Sequence, residues 1–122
     1  MSTKIKRLKS ETRILMVMCN DHLVEVAVIR GIQGLEHLVL STIEEFFKDL
    51  PNYKFLGEVR YSIIYKCPED LKKKIEKYVQ IVEEDRLENI RYIIAEFRDY
   101  LSKILLVAKS FKLHTSRQTT CR

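Results

Sequence analysis

The residues of this chain best suited to chemistry are three histidines, three cysteines and a scatter of serines. His22, His37 and His114 stand too far apart to suggest the three or four converging ligands that a metal ion needs. Cys19, Cys67 and Cys121 are odd in number and contain no C-x-x-C pair. That pattern signals neither a zinc site nor a disulfide framework, and free thiols in a reducing compartment are the simplest expectation. Cys67 precedes Pro68 at an expected helix start, where a thiolate would be stabilised, but no base stands near it in sequence. Ser41 and Ser110 have no histidine at a recognisable triad spacing. Three glycines leave little room for a phosphate-cradling loop. No metal and no cofactor are expected, and the balance leans away from an enzyme.

One spacing carries a catalytic alternative. Arg30 and His37 bracket the segment Arg-Gly-Ile-Gln-Gly-Leu-Glu-His. It resembles the R-x(4–6)-H signature of HEPN-type ribonucleases, which are small helical bundles. The resemblance covers eight residues. In that family a polar residue usually follows the arginine and the motif lies late in the bundle; here Gly31 follows and the motif comes early. The resemblance implies that Arg30 and His37 act on an RNA phosphodiester, with His37 in acid–base work. It ranks third among the readings.

Charge offers a second kind of chemistry. The formal net charge is +5. Lys4, Lys6, Arg7, Lys9 and Arg13 outweigh Glu11 at one end, and residues 109–122 carry four cations and no acid. The middle of the chain is therefore mildly acidic. Basic ends attached to an acidic body suit a nucleic acid or an acidic partner better than a built-in basic groove does. Lys4, Lys6, Arg7, Lys9 and Arg13 are the expected contacts. Six tyrosines could stack on bases. Tyr61 and Tyr65, however, share a face with Val59 and Ile63, which favours packing. The basic amphipathic segment from Ser102 to Leu113 could lie on a membrane, but it continues a helix already committed to the core.

The elements that would position these groups are read from periodicity. Residues 13–30 hold two apolar runs on either side of Asn20-Asp21, which suits a hairpin with a tight turn there; a single helix is the alternative. The hairpin puts Leu15, Val17, Val24, Val26 and Val28 on one face. Ile14, Met16, Met18, Leu23, Ala27 and Ile29 fall on the other, with Glu25 among them. Two apolar faces call for cover on both sides. Leu35, Leu38, Val39, Ile43, Phe46, Phe47 and Leu50 recur at helical spacing, so one helix is expected up to Pro51. Residues 54–66 alternate as a strand. Residues 68–113 read as two amphipathic helices that fold back near Glu83–Arg86, with an arm projecting to a partner as the alternative.

The expected fold class is α+β: a small three-stranded sheet, a hairpin plus one strand, packed by three helices in the order ββαβαα. An all-α bundle is the alternative. Residues 1–12 read as a flexible basic arm, 13–113 as one globular domain and 114–122 as a frayed basic tail. No run reaches 18 apolar residues, so no transmembrane segment is expected, and with no signal peptide visible an intracellular, cytoplasmic location follows by default. The apolar surface exceeds what a three-stranded monomer easily hides. The leading reading is a non-enzymatic interaction protein, a homo-oligomer or bound to a protein partner, with Met16, Met18, Leu23, Phe97, Leu101 and Ile104 at the interface. A nucleic-acid-associated regulator using the basic termini is second.

Overall fold

A computed structural model describes residues 12–87 and 90–120. Residues 13–30 form the expected hairpin. Strand β1 (Arg13–Asn20) pairs antiparallel with β2 (Leu23–Arg30). The turn falls one residue later than the sequence suggested, at Asp21-His22. Asp21 takes the left-handed conformation, with φ of 55°. Leu15 therefore lies opposite Val28 and Val17 opposite Val26. The slip moves each partner by two residues, so every side chain keeps its expected face.

Two expectations about the sheet are overturned. It has five strands rather than three, in the order β3-β2-β1-β4-β5, and the all-α alternative falls with the same finding. Residues 35–50 are not one helix. Strand β3 (Leu35–Thr42) pairs antiparallel with β2, and only then does helix α1 (Ile43–Asp49) begin. Gly34, at φ of 104°, makes the bend from β2 into β3; the constraint is the backbone, since a Cβ there would meet nothing within 4 Å. Thr42 starts α1 with a capping box: its hydroxyl accepts from the Glu45 amide while the Glu45 carboxylate accepts from the Thr42 amide.

The strand expected over 54–66 is shorter, because Lys54–Gly57 forms a 3-10 turn and β4 covers only Tyr61–Tyr65. β4 runs parallel to β1, with Met16 opposite Ile63. Helix α2 (Glu69–Glu76) then crosses to β5 (Gln80–Ile81), parallel to β4. Val79 and Val82, whose spacing read as more helix, flank this short strand instead. The chain does break near Glu83–Arg86, as expected, in a 3-10 turn. Helix α3 then runs from Arg91 to Thr120, beyond the expected boundary at 113.

The sheet is covered on both faces. α1 and α2 bury Phe46, Leu50, Leu71 and Ile75 against Leu15, Val17, Val24, Val26 and Val28. α3 buries Ile94, Leu101 and Leu105 against Ile14, Met16, Met18, Leu23, Ala27 and Ile29. The two apolar faces of the hairpin are thus the floors of two cores.

Cys19 and Cys67 form a disulfide, with Cα atoms 5.0 Å apart across 48 residues of sequence. The expectation of free thiols is corrected for this pair. The parallel pairing of β1 with β4 explains it, since Met18 lies opposite Tyr65 and each cysteine follows just beyond. The argument for a reducing compartment loses its footing with the pairing. Among the described residues, no helix is long and apolar enough to cross a membrane.

Candidate functional site

In sheets with parallel strands, ligands favour the carboxyl ends of the strands where the connections diverge. β1 and β4 end side by side here. Between their ends and α3 lies a cleft of about 510 Å³, lined by Asn20, Asp21, Tyr65, Lys66, Arg98 and Ser102 among others. Lys66 sits at φ of 56°, an uncommon conformation for a residue with a side chain.

The polar groups around this cleft are largely engaged with one another. The Tyr65 hydroxyl donates to Glu84 Oε2 at 2.9 Å, and Arg98 Nη1 donates to Glu84 Oε1 at 2.9 Å. Burial, followed by the Glu84 hydrogen bond, pushes the Tyr65 phenol far above its ordinary range, so it stays a donor. The nearby Glu84 carboxylate raises the Arg98 guanidinium further. Lys109 forms an ion pair with Asp21 and holds that carboxyl below its usual range. These contacts fasten α3 to the turn at 84–86 and to the hairpin tip. They act as clasps between elements. Among the described residues, no group of three His, Cys, Asp or Glu is placed to hold a metal ion.

Arg30 and His37 meet different fates. Arg30 ends β2, with Nη1 at 3.7 Å from Glu36 Oε2. His37 lies on β3 and stacks on Phe55, centroids 5.5 Å apart. The stack continues from Phe55 to Tyr53 at 5.0 Å and on to Phe46 at 6.0 Å. Both residues stand on strands, so the helical bundle that the HEPN resemblance implies is not formed. Arg13 is also engaged: its Nε donates to Glu36 Oε1 at 2.6 Å. Lys4, Lys6, Arg7 and Lys9 lie outside the described residues. Met16, Met18, Leu23 and Leu101 are buried in the core beneath α3, and Phe97 and Ile104 pack against it. α3 of the same chain covers Met16, Met18 and Leu23, the hairpin residues that the sequence assigned to an interface.

Comparison with known proteins returns no matching family model and no matching curated sequence. The functional reading therefore rests on geometry.

The geometry exposes a surface that sequence reasoning missed. β3 is an edge strand of eight residues, and Leu35, Leu38 and Leu40 on it are 39, 38 and 44% exposed. Ile29, Ala27 and Glu25 stand opposite them on β2 and face the α3 layer. The three leucines thus extend that sheet face beyond the helix. Edge strands are commonly blunted by lysine, proline or brevity. β5, at the other edge, is two residues long. β3 holds neither lysine nor proline. The signal was present as the Leu-x-Leu of residues 38–40, but it reads as a strand only once β3 is known to pair with β2.

Proposed function

We propose that the protein is a non-enzymatic interaction module that works through the open edge of β3. The observation that carries this reading is the row of half-exposed leucines on an edge strand that holds neither lysine nor proline. A strand edge supplies affinity through main-chain hydrogen bonds, and flanking side chains supply selectivity. The disulfide, the Tyr65–Glu84–Arg98 cluster and the Lys109–Asp21 pair stiffen the body behind that edge. A stiff body loses little freedom on association, which favours binding. Amide hydrogen exchange tests the reading. In dilute, isolated protein the outward amides of β3 exchange quickly, and they become protected when a partner is bound. Protection of every β3 amide in the dilute chain sinks it, because the edge would then already be filled.

A further inference from the structure

We propose that the Cys19–Cys67 bond is a switch worked by a dithiol. Reduction lets Lys66 leave its left-handed conformation, lengthens β4 along β1, and turns the Cys67 thiol into the cleft beside α3. The device is independent of what binds the β3 edge.

Side-chain alternation makes the bond and the backbone of Lys66 one unit. Tyr61, Ile63 and Tyr65 of β4 face the α3 core, and Ile64 faces the core of α1 and α2. An extended chain would put Lys66 on the α1 and α2 side and Cys67 on the α3 side. Cys19 lies on the α1 and α2 side, with Leu15 and Val17. An extended strand would therefore hold the two cysteines on opposite faces. Lys66 breaks the alternation at φ of 56°, and Cys67 packs instead against the α1 and α2 core, where Cys19 is. Asp21 takes a similar φ in a tight hairpin turn, which calls for it; Lys66 stands between a strand and a helix, with no hairpin to require it.

The second state has a place to form. The β1–β4 ladder ends at Met18 opposite Tyr65, while β1 itself continues to Asn20. An extended Lys66 would fall opposite Cys19 and add one rung. The cleft of about 510 Å³ between the strand ends and α3 gives Cys67 room on its new side. Lys66 lines that cleft, so the two states present different walls to it.

Access selects the order of exchange. Cys67 is partly exposed, whereas Cys19 is 5% exposed. One thiol of the dithiol, as thiolate, attacks Cys67 Sγ; the S–S bond breaks and Cys19 Sγ leaves as a thiolate that takes a proton from water. The second thiol, also as thiolate, attacks the donor's own sulfur in the mixed disulfide. Cys67 Sγ then leaves and is protonated in turn. The donor ends as a disulfide, having given up two electrons and two protons.

The test uses the full chain with Cys121→Ser, which leaves Cys19 and Cys67 as its only cysteines. The bond is equilibrated against reduced and oxidised dithiothreitol, and free thiols are counted by maleimide mass tagging. Glycine adopts left-handed angles freely, whereas the cost to an L-residue shifts an equilibrium about five- to thirty-fold. Lys66→Gly should therefore raise the equilibrium constant for bond formation by about that factor, and Lys66→Val, with its branched Cβ, should lower it. Nuclear magnetic resonance should show the Lys66 Cα and Cβ shifts moving from left-handed to extended values on phosphine reduction, and Cys19→Ser/Cys67→Ser should show the extended values from the start. An equilibrium constant unchanged in Lys66→Gly overturns the switch, because the residue then keeps one conformation in both states. Left-handed shifts that persist after reduction overturn it for the same reason. A reduced chain that unfolds also overturns it, since the bond is then a staple and nothing more.

Discussion

Glu25 offers a quantitative test of how the α3 core is packed. It lies on β2 between Leu23 and Ala27 and is 1% exposed. Its cross-strand neighbours are Met18 and Leu40. Neither carboxyl oxygen has a hydrogen-bond partner among the described residues. Burial alone pushes the group from 4.5 up to about 7. Between those values the folded chain holds a proton that the unfolded chain has released. Stability therefore falls as pH rises through this window and levels off above it. At about 1.36 kcal/mol per pH unit, a window of about 2.5 units is worth about 3 kcal/mol. Glu25→Gln removes the titration while keeping the shape. Urea unfolding at pH 4.5 and pH 8 should show the wild-type chain losing about 3 kcal/mol more than this variant across the interval. Asp21 and Glu36, held low by Lys109 and Arg13, change stability in the opposite sense and chiefly below the window. Parallel pH profiles for wild type and Glu25→Gln would refute the buried, unpaired carboxyl.

Thr42→Ala removes the capping box of α1 and should cost about 1 kcal/mol in urea unfolding, with Thr42→Ser restoring most of it. Reducing the Cys19–Cys67 bond frees a loop closed across 48 residues and should lower stability by about 4 kcal/mol, read by comparing urea midpoints with and without a phosphine reductant. Phe46→Ala empties a fully buried site between α1 and the sheet and should cost about 3–5 kcal/mol. Glu36 gains stability from Arg13 above the ordinary carboxylate range and loses it as pH falls through its lowered value; Glu36→Gln should flatten that acid limb of the thermal-melting profile.

Parts of the fold follow from local periods. The hairpin faces were legible because alternation at Leu15, Val17, Val24, Val26 and Val28 about the Asn20-Asp21 turn signal suits strands better than the single helix that stood as the alternative. The buried stripe of α3 through Ile94, Leu101 and Leu105 was legible for the converse reason. The disulfide was not. Its partners are brought together by a parallel pairing, and parallel strands are joined only through a long crossover whose register leaves no local trace. β5 was hidden by the same circumstance, since two residues beside β4 are too few to show a period. Met16, Met18, Leu23 and Leu101, expected at an interface because both apolar faces of the hairpin looked available, are buried within the chain, whose own helices cover those faces.

β3 shows how a strand can wear a helical pattern. Leu35, Leu38, Val39 and Ile43 fit a 3.6-residue period as well as they fit two faces of a strand interrupted between Ile29 and Val28 of its neighbour. What decides between them is tertiary. Val24, Val26 and Val28 are fully buried or nearly so, and β2 between β1 and a helix would leave a row of buried amides and carbonyls without partners. A third strand satisfies them; a helix at that place cannot. One local signal did mark the boundary, the Thr42-x-x-Glu45 capping box, which starts a helix at Ile43 and so forbids one running through Thr42 from Leu35. Placing β3 there settles the edge of β2 and makes β3 the sheet's edge among the described residues, with leucines beside it. The physical demand that makes residues 35–42 a strand is the demand that a partner strand would meet in turn.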